Sequence, residues 1–154
     1  MDTTETAGTI NTWHAGTWAE RVGLVMVSAS REEVTARVVI QAHHRQPQGI
    51  VHGGVYASII ESVASIGAAL DAMTKGKTIV GLDNHTSFVH AAREGTLHAT
   101  GTPVTRGSRT QLWDVVLRDD AQKVVASGRV RLLVLDPDAS VAGGSLVARR
   151  EPAG

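Results

Sequence analysis

The sequence contains no cysteine, so disulfide bonds, thiolate zinc sites and a cysteine nucleophile are all excluded. Aromatic residues are scarce, with three Trp, one Tyr and one Phe, which limits stacking on an aromatic ligand. Net charge is also absent, because 15 Lys and Arg residues balance 15 Asp and Glu residues. Without a basic surface, neither nucleic acid nor an anionic membrane is expected as the main partner.

A secretory signal and a membrane-spanning segment are not expected either. The N-terminus has no basic segment followed by an apolar run, and the longest apolar stretch is interrupted by Glu61 and several small polar residues. The 154 residues, 42% of them hydrophobic, are enough for one domain with a substantial core. We therefore expect a globular cytoplasmic protein.

The predicted order of elements is two strands, one long apolar helix and four further strands. The strands are predicted at 24–30, 34–41, 78–89, 96–105, 110–117 and 124–135, and the helix at about 53–73. A helix that is apolar almost all round must be covered on most sides, and one curved antiparallel sheet would cover it. The sequence therefore predicts an α+β hotdog fold. We expect this domain at 21–136, after an N-terminal segment (1–20, with 1–9 mobile) and before a loose tail (137–154).

Glu61 is the only carboxylate between residues 55 and 70 of that helix. Burying a carboxylate is costly unless it is paired or takes part in chemistry. Glu61 is therefore a candidate catalytic group. The alternative is a structural acid that hydrogen-bonds to Ser65, one helical turn later, or to Ser62.

Two glycines, Gly53 and Gly54, mark the start of the helix. The first N–H groups of a helix lack internal acceptors and carry the positive end of the helix dipole, and without a Cβ a ligand oxygen can approach them closely. The Gly53 N–H is thus a candidate oxyanion hole, although the glycines could simply permit a tight turn. His52 and Gln46, just before them, could support a ligand there, but loop packing is the commoner role of such residues.

Helix geometry separates Gly53 from Glu61. They are eight residues apart, or about 12 Å along the axis, so Glu61 cannot act on a carbonyl held by Gly53 of its own chain. An antiparallel pair of such helices would place each Glu61 near the start of the other helix. If both residues act on one substrate, the sequence predicts a symmetric dimer with two composite sites.

Two charged turns could bind phosphate groups. The segment Arg106-Gly107-Ser108-Arg109 offers two cations, a hydroxyl and backbone N–H groups, and Arg93 lies in another such turn. The alternative for both is an ordinary solvated turn.

Metal and serine-hydrolase chemistry have little support in the sequence. The seven His residues show no HExxH or paired-ligand spacing, so no metal site is expected. A Ser-His-Asp triad is not supported by any G-x-S-x-G elbow.

Together these motifs resemble those of the hotdog-fold acyl-CoA thioesterases. The run 46–54, with Glu61 nine residues after His52, is most similar to the Arthrobacter-type 4-hydroxybenzoyl-CoA thioesterases and to relatives acting on 1,4-dihydroxy-2-naphthoyl-CoA. The resemblance covers roughly residues 20–135 and continues through 84–88, 93–95, 107–108 and 113–120.

The resemblance implies a role for each candidate catalytic residue. Glu61 would be the catalytic carboxylate, acting as a nucleophile or as a base for water, and the Gly53 N–H would polarise the thioester carbonyl. His52 and Gln46 would support that site. Ser65 would help to position the water or the carboxylate.

The resemblance also implies a set of residues that binds CoA. Ser108 and Arg109, in the turn 107–109, stand where the family contacts the CoA phosphates. His90 stands where a relative has an arginine, so that part of the phosphate contact would be weaker, or would be supplied by Arg93 or Arg106. Tetramers built from dimers are implied as well.

The expected activity is hydrolysis of an aromatic or medium-chain acyl-CoA to acid and CoA, without a metal or cofactor. A thioester is already activated, so one carboxylate and one oxyanion donor can suffice. A hotdog hydratase or dehydratase is an alternative, but it would use an Asp/His pair that is not seen here. A non-catalytic acyl-CoA-binding module is another, and it would not need Glu61.

Overall fold

The computed structural model describes residues 2–146, which form one curved sheet around a long helix. The elements are α1 (Thr3–Trp13), α2 (Trp18–Val22), β1 (Val25–Ala29), β2 (Val34–Val39), a 3-10 turn (Ala42–His44), α3 (Gly53–Met73), β3 (Thr78–Phe88), β4 (Thr96–Arg106), β5 (Thr110–Arg118), β6 (Val124–Leu135), β7 (Ser140–Val141) and β8 (Gly144–Ser145). The six long strands are antiparallel, in the order β1-β2-β4-β5-β6-β3. The predicted architecture is confirmed.

Local signals in the sequence set both ends of α3. At its start the His52 ring accepts a hydrogen bond from the Gly54 N–H. At its end the chain turns through Gly76, whose φ is +63°, and the Lys77 N–H donates to the Ala72 carbonyl. Such a left-handed glycine is a common way to end a helix.

The core lies between α3 and the concave face of the sheet, where α3 contacts β2, β3, β4, β5 and β6. Alternate residues of β5 point inward and are buried, namely Gln111, Trp113, Val115 and Leu117. The Trp113 ring lies directly against Gly67, where a Cβ would overlap it. This close approach requires glycine in the middle of α3.

One face of α3 remains partly open, which differs from the expectation of a helix covered on most sides. Ser58, Glu61, Ser62 and Ser65 are half-buried rather than enclosed. Helix α3 is long and apolar enough to cross a membrane, but it is the core helix of this sheet. The open face is therefore a surface that a second chain can cover.

Residues 3–9 belong to a helix, which corrects the expectation of a mobile segment there. Helix α1 packs on the domain through its buried Ala7 and Ile10. The Asn11 amide donates to the Met26 carbonyl at 3.0 Å and accepts from the Met26 N–H at 2.8 Å. These contacts join the helix to β1, and a polar Thr-rich sequence does not reveal them.

The predicted tail also begins with some order, because β7 and β8 form a short hairpin within 140–145. Residues 147–154 of that predicted tail lie outside the described part of the chain. The predicted boundary at 20/21 falls inside α2.

The two edges of the sheet differ. The edge of β1 is covered by Asn11, whose amide hydrogen-bonds to both the carbonyl and the N–H of Met26. The edge of β3 has no strand beside it in the described chain, although β3 is 11 residues long. Leu82, at a bulge in β3, is 52% exposed. An uncovered long edge strand is a site for pairing with another chain.

Candidate active site

A cavity of about 430 Å³ opens at the start of α3. It contains three of the predicted catalytic residues, Gln46, His52 and Gly53, which we call the helix-start site. His90, from the predicted CoA set, also lines it. The full lining is Gln46, Ile50, Val51, His52, Gly53, Gly54, Tyr56, Phe88, Val89, His90 and Ala91.

The backbone N–H groups at this helix start are used unequally. His52 Nδ1 accepts from the Gly54 N–H at 2.9 Å, and the His52 carbonyl accepts from the Val55 N–H at 2.9 Å. The Gly53 N–H has no acceptor among residues 2–146. A donor at the positive end of a long helix, unpaired and beside a cavity, meets the requirement for an oxyanion hole.

Two aromatic rings bound the same cavity. The Phe88 ring lies over Gly53, where a Cβ would overlap it, yet Phe88 is 62% exposed. Its centroid is 6.1 Å from that of Tyr56. Burial raises the pKa of the Tyr56 phenol, and its hydroxyl has no hydrogen-bond partner within residues 2–146. Tyr56 is therefore a neutral group near neutral pH.

Glu61 lies in a second place, farther along α3. Asn84 Nδ2 donates to Glu61 Oε2 at 3.0 Å, and Ser65 Oγ donates to Oε1 at the longer distance of 3.4 Å. Both donors are neutral, and no cation lies within ion-pair distance of this carboxylate in the described chain. We call Glu61, Ser65 and Asn84 the carboxylate site.

Asn84 is the residue of this site that sequence reasoning missed as a functional residue. Its amide also donates to the Ala57 carbonyl at 3.1 Å, and Thr86 Oγ1 donates to Asn84 Oδ1 at 2.7 Å. These bonds fix the direction in which Asn84 presents its N–H groups. No local signal in the sequence marks this role, because Asn84 meets Glu61 only in the folded structure.

Gly81 makes room for the carboxylate. A Cβ on Gly81 would lie 2.6 Å from Glu61 Oε1, and the bulge of β3 falls between Gly81 and Asp83. The strand thus leaves space for the carboxylate where a side chain would otherwise occupy it.

The structure does not bring the whole predicted catalytic set together in one chain. Glu61 and Ser65 are absent from the lining of the cavity at the helix start. Gly53 and Glu61 are eight positions apart in one unbroken helix, so the spacing of about 12 Å holds. One chain therefore presents these groups at two separate places, the helix-start site and the carboxylate site.

The predicted CoA set is also divided. His90 lies at the helix start, with Nδ1 bonded to the Val124 carbonyl at 2.9 Å, and Arg93 Nη1 donates to the Gln48 carbonyl at 3.1 Å. Gly107, Ser108 and Arg109 form the β4–β5 turn, at the other end of α3. About 30 Å of helix axis separates the two ends.

Arg106, beside that turn, is engaged elsewhere. Its Nη1 lies 2.9 Å from Glu32 Oε2 and donates to the Arg31 carbonyl at 3.1 Å. The hydrogen bond with Glu32 raises the pKa of Arg106 and lowers that of Glu32. Arg106 is thus tied into an ion pair, which makes it a poor substitute for a phosphate-binding arginine.

A second acid on α3, Asp71, escaped the sequence analysis because it lies one residue beyond the apolar run. It is only 2% exposed. Asp71 Oδ2 accepts from Lys75 Nζ at 2.6 Å and from Gln111 Nε2 at 3.1 Å. Asp71 Oδ1 lies 3.8 Å from Arg106 Nη1.

No group of three or more His, Asp or Glu side chains is placed to hold a metal ion within the described residues.

Comparisons with known proteins agree with one another. Residues 48–126 match the family described as the thioesterase superfamily. A Mycobacterium tuberculosis protein that carries the provisional name esterase is 38% identical over 117 residues, which is 75% of this chain and 84% of that one. The 1,4-dihydroxy-2-naphthoyl-CoA hydrolase of Escherichia coli is 30% identical over 105 residues, 68% of this chain and 76% of that one. A solved thioesterase structure from Haemophilus influenzae superposes with a TM-score of 0.80 at 25% identity, covering 84% of this chain and 90% of that one.

Proposed function

The chain belongs to the thioesterase superfamily and is a thioester hydrolase, and from that premise we propose that it hydrolyses an aromatic or medium-chain acyl-CoA to the free acid and CoA. The observation that carries the proposal is the environment of Glu61. Its carboxylate is half-buried and is held by neutral donors, so its charge is available to a substrate.

The proposed chemistry needs two groups. The Gly53 N–H stabilises the negative charge that develops on the thioester oxygen when the carbonyl carbon is attacked. Glu61 either attacks that carbon, giving an anhydride that water then cleaves, or takes a proton from the attacking water. In both versions the C–S bond breaks and CoA leaves as the thiol after it gains a proton.

A dimer would supply both groups to one substrate. The open edge of β3 and the open face of α3 are adjacent, since Asn84 of β3 bonds to Glu61 of α3. Antiparallel pairing of two β3 strands would extend the sheet and place the two helices side by side in opposite directions. Each Glu61 would then face the start of the helix of the partner subunit.

The contacts within one chain suggest the register of this pairing. Phe88 packs on Gly53, whereas Gly81 and Asn84 pack around Glu61. To bring the partner subunit's Gly53 to Glu61, Phe88 of the partner subunit must lie opposite the stretch 81–84. The two-fold axis would then pass near His85.

The same pairing would bring the two groups of predicted CoA-binding residues together. An antiparallel partner brings the partner subunit's His90 and the partner subunit's Arg93 towards the end of α3 that carries Ser108 and Arg109. The phosphates would then be bound between two chains. We also propose that such dimers assemble into tetramers and act in the cytoplasm.

The cavity at the helix start supports the proposed acyl class. Its volume of about 430 Å³ and its walls of Tyr56 and Phe88 suit a flat or a medium-length apolar acyl group. The related E. coli protein, named for an aromatic acyl-CoA, favours the aromatic choice.

A hydrolysis screen tests this function. Wild-type protein is incubated with a panel of aryl-CoA and alkyl-CoA esters, and free thiol is measured. We expect thiol release, with the highest kcat/KM for aryl esters. Binding of the esters without thiol release would indicate a non-catalytic module, and hydration of an enoyl-CoA without thiol release would indicate a hydratase.

A further inference from the structure

We propose that Asp71 is a positioning residue that holds the β4–β5 turn in place for the phosphate groups of CoA. This inference rests on the proposed function, because it assumes that an acyl-CoA is the substrate. It assigns a role to a buried acid that lies about 15 Å along α3 from Glu61 and takes no part in the chemistry.

The turn itself presents groups that are available to an anion. Ser108 and Arg109 are exposed, and neither side chain makes a hydrogen bond or ion pair with residues 2–146. Gly107 has no room for a side chain, since a Cβ there would lie 2.8 Å from the Thr110 carbonyl oxygen. The turn is therefore tight, and its position depends on the residues on either side.

Asp71 contacts both of those flanking residues. Arg106, which ends β4, lies 3.8 Å from Asp71 Oδ1, and Gln111, near the start of β5, donates to Oδ2 at 3.1 Å. Gln111 is fixed in turn, because its Oε1 accepts from Trp113 Nε1 at 3.0 Å. Helix α3 thus holds the two ends of the turn at one carboxylate.

Of the two arginines at this turn, Arg106 is paired with carboxylates and Arg109 is available to a ligand. Asp71 pairs with Lys75 and lies near Arg106, and Glu32 pairs with Arg106. Arg109 is the cation in the turn 107–109, and it has no carboxylate partner in the described chain. A phosphate that reaches this turn would meet the unpaired guanidinium of Arg109. The backbone of the turn is already held in place through Asp71.

That this buried residue is a carboxylate, and not an apolar residue, supports a positioning role in addition to any contribution to stability. A buried ion pair is a weak source of stability, and apolar residues of similar volume often serve equally well. The Asp71 carboxylate accepts a hydrogen bond from Gln111 and attracts Arg106. It therefore fixes the orientation of both side chains, which an apolar contact would not do. Ordering the turn before binding reduces the entropy that CoA binding must overcome.

The test separates the nucleotide from the thioester. Asp71→Asn keeps the side-chain volume and an acceptor for Gln111 but removes the charge that attracts Arg106 and Lys75. Steady-state kinetics are measured on an acyl-CoA and on the matching acyl-pantetheine, which has the same thioester but no nucleotide phosphates. We expect KM for the acyl-CoA to rise about 5- to 10-fold, with kcat unchanged and both constants unchanged for the acyl-pantetheine.

The matched control is Asp114→Asn, which also removes an Asp–Arg pair, here with Arg129 on the outer face of the sheet. It should change neither substrate's KM. A second variant, Arg106→Gln, removes the contact between Arg106 and Asp71 by changing the exposed partner. It should show the same KM increase, and it serves as the test if Asp71→Asn folds poorly. In an Arg109→Ala background, Asp71→Asn should add little further increase.

Equal KM increases for both substrates, or no increase for the acyl-CoA with either variant, would overturn the positioning role. Failure of the wild-type protein to hydrolyse either thioester would instead overturn the proposed function.

Discussion

Helix α3 carries two carboxylates whose surroundings differ in kind. Asp71 is enclosed, pairs with Lys75 and lies near Arg106, so its charge is neutralised within the fold. Glu61 is half-buried and is held by Asn84 and Ser65, which orient it without cancelling its charge. Burial alone therefore does not distinguish the acid that we propose as catalytic. What distinguishes Glu61 from Asp71 is that its hydrogen-bond partners are all neutral.

The largest expected difference between the two acids concerns catalysis. Glu61→Gln keeps the shape and the hydrogen-bond acceptor for Asn84, but it removes the nucleophile or base. We expect kcat to fall about 1,000-fold, while the free energy of unfolding changes by less than about 0.5 kcal/mol. Thiol-release kinetics and urea unfolding measure the two effects. A variant that keeps a tenth of wild-type activity would remove Glu61 from the mechanism.

Asp71→Ala should have the opposite effects, a large loss of stability and little loss of catalytic activity. It leaves Gln111 without its buried acceptor and Lys75 without its carboxylate, while Arg106 keeps Glu32, so we expect the free energy of unfolding to fall by about 2–3 kcal/mol. Hydrolysis of an acyl-pantetheine per folded molecule should stay within about two-fold of wild type. A stable protein with greatly reduced kcat on that substrate would contradict the contrast with Glu61.

Asn84→Ala tests what orients Glu61. The lost hydrogen bond is to a charged acceptor, and such bonds are worth about 1.5–3 kcal/mol, so kcat should fall about 10- to 100-fold. Asn84→Ser, which keeps a shorter donor, is the matched control and should recover part of the loss. An unchanged kcat in Asn84→Ala would show that the bond is incidental.

Ser65→Ala should have the smallest effect of the series. Its hydroxyl lies 3.4 Å from Glu61 Oε1, at the limit of a hydrogen bond, so we expect kcat to fall only about two- to five-fold. A larger loss than that of Asn84→Ala would reverse the ranking that the two distances support.

Much of the fold could be predicted because its signals are local. The limits of α3 follow from His52, the two glycines and Gly76, and the later strands follow from alternating apolar residues between short turns. Helix α1 could not be predicted in this way, since it depends on a tertiary contact between Asn11 and the backbone of β1.

The candidate site was predictable in part for the same reason. The separation of Gly53 and Glu61 follows from helical rise alone, and the structure keeps it. Asn84 and Asp71 could not be assigned from spacing, because their roles depend on strands that are distant in sequence. Likewise, only the folded structure shows that the turn 107–109 and His90 lie near opposite ends of α3.

Subunit mixing tests whether each active site combines Glu61 of one chain with Gly53 of another. Gly53→Pro removes the N–H at the first helical position, where the backbone accepts proline. Any Cβ at residue 53 would also displace the exposed Phe88 ring, so Gly53→Ala, which adds a Cβ but keeps the N–H, is the control. Gly53→Pro and Glu61→Gln should each be nearly inactive alone. After the two proteins are unfolded and refolded together, half of the dimers are mixed and each has one intact site, so we predict recovery of about a quarter of wild-type activity. No recovery, with mixed dimers demonstrated by mass spectrometry, would contradict the composite site.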